Sequence, residues 1–87
     1  MTTTTPPRAM TRTQFATLRA QRWFDAGWCA AAAADVLTHP GSDTAKVRRA
    51  LRGLTEQGIT DQAARRNYAH GVRAKLAAYR DQGLLAP

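Results

Sequence analysis

Apolar residues return at intervals of three and four along most of this chain, and two stretches carry the pattern cleanly. Val47, Ala50, Leu51 and Leu54 form one stripe; Ala64, Tyr68, Val72, Leu76 and Tyr79 form another. The first predicts a helix over residues 43–57, with Ser42, Asp43 and Thr44 offering caps. The second predicts a helix from a Thr60 or Asp61 cap to Gly83, kinked or split if His70-Gly71 interrupts it. No stretch from residue 42 onward alternates with the period of a strand, so no sheet is expected.

The first third is less tidy. A helix capped by Thr11 or Thr13 should run to Ala26 and stop at Gly27. Ala16, Ala20, Trp23 and Phe24 share one side of it, while Phe15 and Leu18 fall on another. Either a small core wraps this helix on two sides, or Phe15 and Leu18, beside Arg19 and Arg22, belong to a dimer or partner interface. Residues 28–37 should form a short alanine-rich helix ended by Pro40 and Gly41.

One ending recurs three times. Trp23-Phe24-Asp25-Ala26-Gly27-Trp28, Leu54-Thr55-Glu56-Gln57-Gly58-Ile59 and Tyr79-Arg80-Asp81-Gln82-Gly83-Leu84 each place an acid two residues before Gly and a large apolar residue after it. Gly takes the left-handed position that closes a helix, and the next residue folds back on the last turn. The elements together predict an all-α, compact four-helix bundle, five helices if the last one breaks. Residues 11–87 make one helical domain, and residues 1–10, with two prolines and nothing to bury, make a flexible tail.

Composition adjusts this picture in two places. Four of the six aromatics (Phe15, Trp23, Phe24, Trp28) lie between residues 15 and 28, which marks that segment as the core anchor. Cys29 has no partner for an intramolecular disulfide and apolar neighbours, so a buried, inert thiol is expected. No apolar run approaches the roughly 20 residues of a membrane span, and a cytoplasmic location without membrane contact is expected.

Charge points to a partner. Thirteen Lys and Arg against six Asp and Glu give a net charge of +7, a balance that attracts polyanions. Lys46, Arg48, Arg49 and Arg52 crowd the first half of the helix over residues 43–57. Arg65, Arg66 and Arg73 lie opposite the stripe of the last helix, or at its boundary. Catalysis is not indicated. His39 and His70 are 31 residues apart with no acid or thiol at metal-ligand spacing, the few acids sit at helix ends, and the glycines form no phosphate-cradling loop. No metal, no other cofactor and no enzymatic activity are expected.

Residues 28–54 resemble a helix-turn-helix DNA-binding unit. Ala30 to Leu37 stands in the place of the supporting helix, and Thr44-Ala45-Lys46-Val47-Arg48-Arg49-Ala50-Leu51-Arg52 in the place of the recognition helix. The resemblance implies DNA contacts by Ser42, Thr44, Lys46, Arg48, Arg49 and Arg52. Thr38 to Ser42 is longer than the usual turn, and no β-hairpin wing follows Ile59. A slighter likeness joins Tyr68, Val72, Leu76, Tyr79, Gly83 and Leu84 to a helix of the core-binding domain of tyrosine recombinases.

The expected function is that of a small non-catalytic DNA-binding protein, a phage, plasmid or bacterial regulator. Arg65, Arg66 and Arg73 would add phosphate contacts. One short helix buries too little for site-specific affinity, which argues for a homodimer. The alternative is a helical protein-binding module that engages an acidic partner through Phe15, Leu18, Arg19 and Arg22.

Overall fold

The computed structural model describes residues 11–86; the tail expected over residues 1–10 lies outside them. Four helices follow in order: α1 (Arg12–Ala30), α2 (Ala34–Leu37), α3 (Asp43–Glu56) and α4 (Gln62–Asp81). The fold is all-α, with no strand among the described residues.

Local chemistry sets most of the boundaries. Thr11 caps α1 reciprocally: its hydroxyl accepts from the Gln14 amide at 3.1 Å, and the Gln14 side chain accepts from the Thr11 amide at 2.9 Å. Ser42 caps α3 and Asp61 caps α4, each accepting from the amide three residues on. Both of these helices stop as expected. Gly58 and Gly83 adopt φ of 79° and 76°. The Ile59 amide then donates to the Leu54 carbonyl at 2.9 Å and the Leu84 amide to the Tyr79 carbonyl at 2.8 Å.

The third ending behaves differently. α1 runs through Gly27 to Ala30, so neither the stop at Gly27 nor a helix spanning residues 28–37 is found. Residues 28–30 continue α1, residues 31–33 turn, and α2 is a single turn. Gly27 is buried, and a Cβ there would lie 2.0 Å from the Tyr68 carbonyl oxygen; a Cβ on Gly71 would lie 2.0 Å from the Phe24 carbonyl oxygen. The two glycines let α1 and α4 pack backbone to backbone. Gly71 therefore does not break α4, which is continuous over its 20 residues.

The two long helices run parallel. Trp23 meets Tyr68 edge-on with ring centroids 6.5 Å apart, and further along Lys75 of α4 reaches the ring of Trp28 at 4.6 Å. α3 lies antiparallel to α4, with Asp43 at its start bonded to Arg80 and the Leu51 carbonyl near Arg65.

Two expectations about the core are corrected. Its buried apolar residues are Ala31, Val36, Val47, Ala50, Leu54, Ala64, Tyr68, Val72 and Leu76, while Trp23 packs only partly buried against them and Phe15 is 55% exposed. The aromatic segment lines the edge of the core because the glycine crossing brings backbone, not rings, to its centre. Val72 and Leu76 are fully buried, which contributes roughly 1.5–3 kcal/mol each. Cys29 is exposed, since it lies on the side of α1 turned away from α4.

Candidate nucleic-acid interface

The stripe Val47, Ala50 and Leu54 anchors α3 inward, so the helical period turns Thr44, Arg48, Arg52 and Thr55 outward; all four are exposed. On α4 the buried Ala64, Tyr68, Val72 and Leu76 leave Arg66, His70, Arg73 and Ala77 as an exposed row. The rows adjoin across the α3/α4 seam, where the Arg73 guanidinium donates to the Thr44 hydroxyl at 3.4 Å. Arg48 and Arg52 also line an open groove of about 260 Å³ with His39, Ala45 and Arg49.

Not all the expected contact residues face outward with free charge. Arg49 pairs with Asp35 of α2 at 2.7 Å. The Lys46 ammonium donates to the His39 backbone carbonyl, fixing the loop between α2 and α3. Arg65 turns back to the end of α3, donating to the Ile59 carbonyl at 3.0 Å and the Leu51 carbonyl at 3.5 Å. These three cations hold the fold at its joints. Ser42 is exposed but its hydroxyl is taken up in the α3 cap. Arg48, Arg52 and Arg66 make no hydrogen bond or ion pair among the described residues and project into solvent.

Asp43, Arg80 and Asp35 carry weight that their positions in the sequence do not signal. Asp43 opens α3 and would repel an approaching phosphate, yet the Arg80 guanidinium meets it at 2.6 Å. That hydrogen bond holds the Asp43 carboxyl below its ordinary value, against a smaller opposing push from partial burial, with the charges of Arg80, Arg73 and Lys46 assisting. A carboxyl lowered on folding stabilises the fold fully above about pH 4, and the contribution disappears as pH falls through the lower folded value. Between pH 5 and pH 3, thermal melting of the protein should therefore fall further than that of Asp43→Asn. Equal falls would show that this pair carries no such linkage.

On the other side of α4 Lys75 sits over the rings of Trp28 and Tyr79, at 4.6 and 4.8 Å. Its charge is spent on the α1/α4 joint. The outward cations of α3 and α4 are thus Arg48, Arg52, Arg66 and Arg73, a guanidinium set suited to bidentate phosphate contacts. No family model, curated protein or solved structure matches this chain. The interface surface proposed from sequence on α1 is also exposed: Phe15 at 55%, Leu18 at 41%, with Arg19 and Arg22 beside them. The core does not wrap α1 on two sides. Among the described residues no helix is long and apolar enough to cross a membrane.

Proposed function

We propose that this protein is a small non-catalytic regulator that binds duplex DNA through the outer face of α3 and α4. The observation that carries the reading is the pair of exposed rows, Arg48 and Arg52 on α3 and Arg66 and Arg73 on α4, which meet where Arg73 donates to Thr44, while Asp43 beside that contact is paired with Arg80. Arg48 and Arg52 lie one turn apart, the spacing at which a helix in the major groove meets successive base edges or phosphates. The likeness of residues 28–54 to a helix-turn-helix unit supports the reading on the side of α3 alone, since α2 is a single turn where the supporting helix was expected over Ala30 to Leu37.

Fluorescence anisotropy with a labelled duplex tests this. Four phosphate contacts give affinity that falls with salt at a log–log slope of about −3.6, and Arg48→Ala with Arg52→Ala should reduce that slope by about 1.8. Absence of binding at about 50 mM salt, or binding indifferent to the double substitution, would sink the proposal.

A second reading, a helical module for an acidic protein, draws on the exposed Phe15 and Leu18 beside Arg19 and Arg22. Such an interface is apolar at its centre, so binding would survive salt and fail on Phe15→Ala.

A further inference from the structure

α1 has two faces. Ala20, Trp23, Phe24 and Gly27, with Ala31 just past the helix end, turn toward α4 and the core. Half a turn around the helix, Phe15, Leu18, Arg22, Asp25 and Cys29 form a second row, and every member is exposed. The intervals between them are three, four, three and four residues, the spacing of a helix–helix seam.

Exposed apolar residues taken singly are normal on a protein surface. The order of the charges in this row is more informative. Arg22 and Asp25 occupy its two central positions. In a parallel pair of copies Arg22 would face Arg22 and Asp25 would face Asp25. In an antiparallel pair with its two-fold axis midway between residues 22 and 25, Arg22 of each copy faces Asp25 of the other. The same axis sets Leu18 against Cys29 of the second copy. It also carries Phe15 past the end of the facing helix, to the turn where Ala32 and Ala33 are exposed. Large side chains meet small ones, and the charges meet their opposites.

We infer that α1 is a self-association helix: two copies of this chain pair antiparallel along Phe15, Leu18, Arg22, Asp25 and Cys29. The inference does not rest on DNA binding, since the row lies on α1, away from the α3/α4 face. Asp25 is held in place for the contact by Gln21, whose side-chain amide donates to it at 2.8 Å. Arg22 makes no hydrogen bond or ion pair within the chain among the described residues. The contact is bounded by the 19 residues of α1, about 28 Å of helix, which places it among small interfaces with a dissociation constant on the order of micromolar.

Sedimentation equilibrium of the full chain over a concentration series tests the pairing. The protein should show a monomer–dimer equilibrium. Arg22→Asp and Asp25→Arg each set like charges against each other across the axis, and each should weaken the dimer at least about tenfold. Mixing the two variants in equal amounts should restore association as a heterodimer, and combining both substitutions in one chain should restore the homodimer. Both positions are exposed, so the variants keep the fold.

Cross-linking reads the register independently. In the antiparallel pair the two Cys29 residues stand about 16 Å apart along the seam, too far for a disulfide, whereas Leu18→Cys brings residues 18 and 29 of opposite copies together. Mild oxidation should therefore trap a dimer of Leu18→Cys and not of the unaltered protein. A chain that stays monomeric throughout overturns the inference. So do a mixture of the two charge variants that fails to associate, or ready Cys29–Cys29 cross-linking of the unaltered protein.

Discussion

Gly27→Ala should lower the stability of the fold by about 2 kcal/mol or more, even though Ala is the better helix former by about 1 kcal/mol. The new methyl would lie 2.0 Å from the Tyr68 carbonyl oxygen and 2.8 Å from its carbon. These are backbone atoms, so no rotamer change relieves the overlap and α1 must move bodily off α4. Gly71→Ala meets the Phe24 carbonyl in the same way and should cost a similar amount. Gly53→Ala is the control. Gly53 lies inside α3 with nothing within 4 Å of its added methyl, so the propensity term acts alone and the fold should gain about 0.5–1 kcal/mol. Urea denaturation of the three variants reads the difference in sign directly. Because α1 and α4 need separate only once, the Gly27→Ala, Gly71→Ala double variant should lose less than the sum of the single losses. A neutral or stabilising Gly27→Ala would mean that the two backbones do not meet at this crossing. For a chain of 87 residues, whose stability is roughly 4 to 13 kcal/mol, such a loss takes a large share.

The same glycine shows where sequence reading stops. Around Gly27, Gly58 and Gly83 the local pattern is alike, and local pattern is enough where the outcome is local. At Gly58 and Gly83 the helices close through local bonds, from the glycine amide three positions back and from the next amide five positions back. Gly27 differs because Tyr68, 41 residues later in the chain, passes against it, and no feature within residues 23–28 encodes that approach. The apolar stripes of α3 and α4 were legible for the converse reason: each is a property of one helix, and burial followed it. On the candidate face, spacing identified the arginines but not their engagements. Asp35, the His39 carbonyl and the Ile59 carbonyl tie down Arg49, Lys46 and Arg65, and each tie joins a side chain to a different element or loop. The exposed face of α1 was legible as two apolar directions on one helix, and by leaving Phe15 and Leu18 in solvent the structure excludes a core that wraps this helix on two sides.

Arg65 and Arg48 should therefore separate stability from binding, although both were candidates for the same DNA surface. Arg65 is half-buried and closes the end of α3, where the Ile59 carbonyl has no helical donor of its own. Arg65→Gln is too short to reach that carbonyl. A hydrogen bond from a charged donor contributes about 1.5–3 kcal/mol when sheltered, and half exposure lowers this to about 1–2 kcal/mol. Loss of this bond frees the loop between α3 and α4, so the melting temperature should fall by several degrees, on the order of 4–8 °C per kcal/mol for a domain of this size. At a temperature where the variant remains folded, the salt slope of its duplex binding should be unchanged, because the Arg65 guanidinium is turned toward the α3 terminus. Arg48→Ala should show the opposite profile. Arg48 projects from the middle of α3 without a partner among the described residues, so its loss should leave melting within about 0.5 kcal/mol of the parent protein and reduce the salt slope by about 0.9. If Arg65→Gln reduced the slope while leaving the melt intact, Arg65 would have to leave the α3 carbonyls in the complex and act as a phosphate ligand. If Arg48→Ala changed neither quantity, the outer face of α3 would have no part in binding.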